Sequence, residues 1–171
     1  MSAPVALPQI SYTAPGFDAA SMASLHEYGF AAVVDHPLDG DRVARIYGEW
    51  LAFFASGEAA GFRMDPVKQD GYFSLREAEH AKGFVERDFK EYFQFYPWGR
   101  CPESLQADLA SHFDAAVDLG AELLSCIARS LPEAVTTELT EPLRDMIQGS
   151  EQSMLRVLHY PPVPVGQSVL R

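Results

Sequence analysis

The residues best suited to metal chemistry are the five histidines, which carboxylates could join in a ligand set. Only His112 and Asp114 stand in an H-x-D spacing, and His159 could complete a two-histidine, one-carboxylate iron site. The surrounding apolar pattern, however, predicts a helix over residues 103–130. Residues at i and i+2 of a helix point roughly 200° apart, so His112 and Asp114 cannot share one ion. We therefore predict no metal ligand in this chain.

Covalent and phosphate chemistry have little support. The chain contains no G-x-S-x-G, no G-x-G-x-x-G and no G-x-x-x-x-G-K pattern. Cys126 falls on an apolar helix face and is predicted to be core, while Cys101 follows Arg100, which could lower the pKa of its thiol. An ordinary loop cysteine is the more common outcome, so we predict no catalytic residue. Two thiols without a C-x-x-C favour a reducing compartment, and we predict a cytoplasmic protein.

The most informative segment is the apolar run at residues 153–160, which predicts a strand. Its alternation places Arg156 and Tyr160 on one face and His159 on the other. Burying a guanidinium is costly unless it meets an anion. Two partners remain open on the residues alone: a carboxylate elsewhere in the fold, or a small carboxylate ligand.

The other elements alternate between helices and single strands. Asp18 is the predicted N-cap of a helix that ends before Gly29, and Asp39 or Asp41 is predicted to cap a second helix. Helices are predicted at residues 18–28, 103–130 and 133–148, and strands at 9–12, 30–34, 71–74, 88–96 and 153–160. Pro142 is predicted to break or kink the last of these helices, or to open a new one as its first residue. The second helix carries the predicted apolar stripe Val43, Ile46, Tyr47, Trp50, Leu51 and Phe54. The last strand is apolar on both faces, so other elements are predicted to pack on both sides of it. Taken together, the elements resemble a fold without its second half.

Composition excludes several classes of function. The 171 residues are 47% apolar, which fits one globular domain over residues 1–171. A net charge of −11 argues against nucleic acid and anionic membrane as partners. No apolar run reaches the ~18 residues of a membrane span, and the first residues lack the features of a signal peptide.

Three stretches together carry a family resemblance. Residues 25–37 contain Gly29-Phe30, and Asp35-His36 stands where the family usually has Asn-His. Gly71-Tyr72-Phe73 and residues 88–93 are similar to its G-Y-x and D-x-K-E-x-F elements. Residues 154–162 resemble the core strand that ends in Tyr-Pro. In this order, the three stretches resemble the Fe(II)/2-oxoglutarate-dependent oxygenases of the isopenicillin N synthase-like type.

The resemblance implies a fold and an activity. In this family a double-stranded β-helix holds Fe(II) through H-x-D and a distal His, and 2-oxoglutarate is decarboxylated to succinate while a substrate C–H bond is oxidised. For this chain it implies an α+β fold, with N-terminal helices packed on an incomplete double-stranded β-helix, or jelly-roll, core. The implied activity is hydroxylation or oxidative ring formation on a small molecule, with Fe(II) and 2-oxoglutarate as cofactors.

Four site residues follow from the resemblance. Tyr160 resembles the tyrosine that lines the oxoglutarate site, and Arg156 matches a basic position on the same strand. Leu158 stands where the family often has an asparagine contact. Gln69 and Phe73 match the segment around Gly-Tyr that lines the substrate pocket.

The chain ends at Arg171, before the family's iron ligands and its oxoglutarate-clamping Arg-x-Ser. The resemblance therefore implies an N-terminal half that is inactive alone and whose partner is the missing C-terminal half of the same fold. A few members use no 2-oxoglutarate, and this half leaves that point open. Two alternatives also remain: a non-catalytic truncated remnant that acts as a binding or partner module, and an unrelated acidic helical interaction domain. The latter predicts that residues 153–160 are not a strand.

Overall fold

The computed structural model describes residues 6–77 and 89–163. The predictions for the extreme N-terminus, for Asp88 and for residues after Val163 lie outside the described residues. In chain order the elements are β1 Gln9–Ser11, α1 Phe17–Tyr28, β2 Ala32–Val34, α2 Gly40–Ser56, β3 Gly71–Phe73, β4 Glu91–Phe95, α3 Glu103–Ser130, α4 Glu133–Thr136 and β5 Leu155–His159, with 3-10 turns at Glu58–Phe62 and Leu143–Met146. The chain thus has a mixed helix and strand architecture with small sheets.

The chain divides into two compact units. The first combines Met1–Leu38 with Asp114–Ser150, and the second combines Asp39–Phe113 with Glu151–Arg171. In the first unit β1 pairs in parallel with β2, and α1 forms the connection between them. Its small core gathers around Ile10, Phe17 and Cys126. Cys126 is therefore core, as predicted, and burial raises the pKa of its thiol to about 11.

The predicted N-cap of α1 is wrong. Gly16, at φ 83°, precedes the helix and no side chain caps it. The left-handed turn at Gly16 starts the helix at Phe17, so Asp18 lies inside the first turn and accepts a 2.7 Å hydrogen bond from Arg129 Nε. At the other end Gly29, at φ 75°, donates its N–H to the Leu25 carbonyl, as predicted.

The helix predicted over residues 133–148 does not form as one helix, but the interruption predicted at Pro142 is present. Only the four-residue α4 and a 3-10 turn form there, and Pro142 lies directly before that turn. Proline cannot donate a helical hydrogen bond and its ring clashes with the preceding turn, which explains the break.

In the second unit, α2 begins as predicted, because Asp39 Oδ1 accepts from the backbone N–H groups of Asp41 and Arg42. Its predicted apolar stripe is only partly right. The buried residues are Ile46, Trp50 and Phe53, whereas Tyr47 and Leu51 are 73% and 56% exposed. Phe53, which was not in the predicted stripe, is buried, and its ring contacts the Trp50 ring edge-to-face.

The second unit also contains an antiparallel sheet in the order β3-β4-β5. β5 is the predicted final strand, which contradicts the alternative of a helical domain without it. It lies at an edge of the sheet among the described residues. Within those same residues, no helix is both long and apolar enough to cross a membrane.

Candidate functional site

The β3-β4-β5 sheet has one face that packs on α2, which we call the helix face. It carries Tyr72, Glu91, Phe93, Phe95, Leu155, Val157 and His159. Phe93 is 0% exposed, and its ring centroid lies 4.8 Å from that of Trp50 and 6.0 Å from that of Phe53. This aromatic packing fixes the sheet on the helix and thereby fixes the strands that carry the opposite face.

The opposite face, which we call the Arg156 face, carries Gly71, Phe73, Tyr92, Gln94, Arg156 and Leu158. The Arg156 guanidinium lies over the Tyr92 ring, with 4.5 Å between Cζ and the ring centroid. The other side of the Tyr92 ring stacks on Phe73 at 4.6 Å. A permanent positive charge is thus held on an aromatic support.

Gln94 links this charge to a neighbouring loop. The residue is 4% exposed, and its side chain is used at both ends. Arg156 Nη2 donates to Gln94 Oε1 at 2.5 Å, and Gln94 Nε2 donates to the Gln69 carbonyl oxygen at 2.5 Å. Three of the predicted residues, Arg156, Phe73 and Gln69, therefore come together through Gln94 and Tyr92.

Residues 65–70 form the closed loop that presents Gln69. Asp65 Oδ1 accepts from the N–H groups of Val67 and Lys68, and these bonds, that of Lys68 foremost, hold the pKa of Asp65 below its usual range. The Asp65 N–H donates to the Asp70 carbonyl, and the Gln69 N–H donates to the Asp65 carbonyl. Gln69 has a φ of 63°, a left-handed conformation that this closure must hold.

A buried carboxylate anchors the end of the loop. Asp70 is 1% exposed, and its Oδ2 accepts from the Arg100 N–H at 2.7 Å and from Arg100 Nε at 3.4 Å. Gly71 follows at φ 100°, and a Cβ there would collide with the Phe62 carbonyl. The crossing of these backbones therefore requires glycine at the start of β3.

The helix face contains its own polar group. The Tyr72 hydroxyl donates to Glu91 Oε2, and His159 Nδ1 lies 2.7 Å from Glu91 Oε1. The His159 ring stacks on Phe54 at 5.3 Å. Burial, and then the Glu91 carboxylate, raise the pKa of Tyr72 well above its ordinary value. His159 is thus engaged on the face opposite Arg156, as its position in the strand predicts.

A cavity of about 480 Å³ runs along the edge of β5 that has no strand beside it among the described residues. All five residues of β5 line it, so it follows the edge of the strand rather than one face. The opposite wall is α2, with the exposed Tyr47 and Leu51, and His112 also lines the cavity. Gln69, Phe73 and Tyr160 are not among its lining residues.

Tyr160 lies apart from the other predicted residues. It is exposed and lines a second cavity of about 270 Å³ together with Phe89 and residues 161–163. Strand geometry places it four residues beyond Arg156, roughly 13 Å along an extended chain. Burial raises the pKa of the Cys101 thiol to about 12, which is opposite to the lowering that a neighbouring arginine could cause.

Iron and a carboxylate make different demands on these residues. Over residues 6–77 and 89–163, no three His, Cys, Asp or Glu side chains lie together as a metal site requires, so these residues do not fit iron. Arg156 does fit a carboxylate. Its guanidinium is charged and held in place, no described carboxylate lies within ion-pair distance, and its Nε is buried without a hydrogen-bond partner.

Sequence reasoning missed Gln94 and the pair of Asp70 with Arg100. Gln94 is the one uncharged polar residue in the aromatic run of β4, and a polar side chain in such a strand needs a partner when buried. That signal could have identified it. Nothing local identifies Asp70 with Arg100, since thirty residues separate them.

No protein-family model and no curated protein matches the chain. Solved structures do. A candidate oxygenase from Shewanella oneidensis has a TM-score of 0.85 and 38% identity, covering 96% of this chain and 59% of that chain. A candidate 2OG-Fe(II) oxygenase family protein from Caulobacter crescentus has a TM-score of 0.65 and 24% identity, covering 93% and 57%. A full-length Neurospora crassa protein, solved in complex with alpha-KG, has a TM-score of 0.58 and 18% identity, covering 91% and 54%.

The chain therefore spans somewhat more than half of each of these proteins. The similarity extends over more than nine tenths of the chain itself, with mixed helices and strands throughout. The predicted resemblance is confirmed: the chain is similar to a portion of the Fe(II)/2-oxoglutarate oxygenases.

Proposed function

We propose that this chain is the N-terminal portion of a non-haem Fe(II)/2-oxoglutarate-dependent dioxygenase of the isopenicillin N synthase-like type, which hydroxylates a small molecule or closes a ring in it by oxidation. The observation that carries the proposal is the Shewanella oneidensis match, at 38% identity over 96% of this chain but only 59% of that one. The remaining C-terminal half of the same fold is then the chain's partner.

The iron ligands belong to that remaining half. Among residues 6–77 and 89–163, no three possible ligand side chains lie together as a metal site requires. 2-Oxoglutarate, when bound, supplies two electrons through its decarboxylation to succinate. The residues of this chain act on the carboxylate ligand, not on the metal.

Arg156 binds a carboxylate of the ligand in this proposal, supported from behind by the Tyr92 ring and from the side by Gln94. A charge-assisted contact of this kind contributes about 1.5–3 kcal/mol. Tyr160 supplies a phenol further along the same face. The exposed Gln69 side chain faces the substrate, and Phe73 forms the wall behind Tyr92.

The β3-β4-β5 sheet forms the first strands of a double-stranded β-helix core, and residues 1–171 belong to one domain of that fold. The edge position of β5 among the described residues and the adjoining cavity support this part of the proposal. An unpaired strand edge can pair with a further strand, and exposed apolar side chains are commonly buried by a further part of the fold. Two free cysteines agree with a cytoplasmic location.

The protein encoded by the complete reading frame that contains this sequence tests the proposal. Succinate formation is measured with 2-oxoglutarate, with and without Fe(II), for the natural protein, Arg156→Met and Arg144→Met. Arg144 is the matched control, since it also donates to a glutamine but lies in the first unit. We expect Fe(II)-dependent succinate, a KM for 2-oxoglutarate raised about 10- to 150-fold by Arg156→Met, and no change with Arg144→Met.

Two results would contradict the proposal. One is the absence of Fe(II)-dependent succinate formation by the complete protein. The other is a stop codon directly after Arg171, which favours the non-catalytic remnant as the function.

A further inference from the structure

We infer that Gln94 is a positioning residue through which a carboxylate bound at Arg156 orders the loop at residues 65–70. This inference rests on the proposed function, because it takes Arg156 as the carboxylate-binding group. It adds a role for Gln94 and a consequence for the loop that presents Gln69.

The orientation of the Gln94 amide is fixed by its two partners. The guanidinium of Arg156 can only donate, so it requires the amide oxygen, and the Gln69 carbonyl can only accept, so it requires the amide nitrogen. Rotating the amide by half a turn would set donor against donor and acceptor against acceptor. The side chain is also 4% exposed, so water does not replace either partner.

The loop end of this link is held against a conformational preference. Gln69 is in the left-handed region, at φ 63°, where a residue with a side chain is disfavoured. The hydrogen bonds within residues 65–70 hold this conformation, and Gln94 adds the bond that ties the loop to the sheet. Loss of that bond would leave the Gln69 carbonyl without its partner in β4.

The Arg156 end of the link is incompletely satisfied. Arg156 Nε is buried and has no hydrogen-bond partner among residues 6–77 and 89–163, while its guanidinium lies over the Tyr92 ring and donates to Gln94. A carboxylate that engages the guanidinium restricts it further and so restricts Gln94. Because Gln94 is already restricted, less conformational entropy is lost when its amide holds the Gln69 carbonyl. Carboxylate binding at Arg156 therefore favours the ordered form of the loop at residues 65–70.

The coupling between carboxylate binding and loop order is reciprocal. If the carboxylate favours the ordered loop, the ordered loop favours the carboxylate by the same factor. Removing the amide therefore weakens carboxylate binding even though Arg156 itself is retained. Couplings of this kind typically amount to a factor of about 5–150.

The test measures hydrogen exchange of the backbone amides of residues 65–70 in the complete protein, without iron and with or without saturating 2-oxoglutarate. Equilibrium dialysis measures 2-oxoglutarate binding in the same samples, so loop ordering and binding are scored separately. The variants are Gln94→Leu, which removes both hydrogen bonds, and Gln94→Glu, which keeps an acceptor for Arg156 but loses the donor to Gln69. Gln148→Leu is the control, because it removes an exposed glutamine that accepts from Arg144.

We expect 2-oxoglutarate to slow loop exchange at least about 5-fold in the natural protein and in Gln148→Leu, and less than about 2-fold in both Gln94 variants. Gln94→Leu should also bind 2-oxoglutarate at least about 5-fold more weakly. Equal slowing in the natural protein and in a folded Gln94 variant overturns the inference, as does unchanged exchange in natural protein that binds 2-oxoglutarate. The dialysis of the natural protein is repeated with Fe(II) added. Natural protein that binds no 2-oxoglutarate in either dialysis overturns the proposed function and the inference together.

Discussion

The helix face and the Arg156 face of the β3-β4-β5 sheet are built from the same strands but by different interactions. The helix face is held by aromatic packing, centred on Phe93 and Trp50. The Arg156 face is held by hydrogen bonds and a cation over a ring, centred on Gln94 and Arg156. Because successive strand residues alternate between faces, one strand can stabilise the fold with one residue and bind a ligand with the next.

The largest loss of stability is expected from a substitution that disrupts the packing of the helix face. Phe93→Ala removes a fully buried ring that contacts Trp50, Phe53 and Phe62, and such truncations cost about 3–5 kcal/mol. The urea midpoint of unfolding should fall accordingly. Leu158→Ala is the matched change on the Arg156 face, where the side chain is 45% exposed, and it should cost below about 1 kcal/mol. Similar losses for the two variants would remove the distinction between the faces.

A smaller effect concerns the polar group on the helix face. Burial and the Glu91 carboxylate raise the pKa of Tyr72 above the value of about 10 that it has in the unfolded chain. Above pH 10 the unfolded chain loses a proton that the folded protein keeps, so stability is full below pH 10 and falls as the pH rises further. The free energy of unfolding, measured from pH 9 to 11, should fall less steeply in Tyr72→Phe.

Glu91→Gln refines that result. It keeps a hydrogen-bond acceptor for Tyr72 but removes the charge, and burial is the larger cause of the raised pKa. Its pH dependence should therefore lie between those of the natural protein and Tyr72→Phe. A Tyr72→Phe profile that matches the natural protein would show that this phenol contributes nothing to alkaline unfolding.

The features predicted correctly from sequence are those with a local cause. Alternation in β5 separates Arg156 from His159, Asp39 caps α2, and Gly29 ends α1. The errors arise where another local choice was available. The left-handed turn at Gly16 starts α1 before Asp18. The segment 133–148 was predicted to be helical with a break or kink at Pro142, and only α4 and a 3-10 turn form there.

The features that sequence alone could not reveal depend on distant parts of the chain. Arg156 and Gln94 are 62 residues apart, and Arg100 and Asp70 are 30 apart. No periodicity relates such positions, since only the folded sheet and loop bring them together. The exposure of Tyr47 and Leu51 is likewise set by which aromatic rings meet α2 in the core.

The central claim is that this chain supplies the carboxylate-binding wall of an oxygenase while the metal is held by the rest of the fold. Anaerobic Fe(II) titration of the 171-residue chain beside the protein of the complete reading frame tests it most directly. We predict one tightly bound Fe(II) per molecule of the complete protein and no tight site in the 171-residue chain. A stoichiometric Fe(II) site in the shorter chain, or none in the complete protein, would contradict the account.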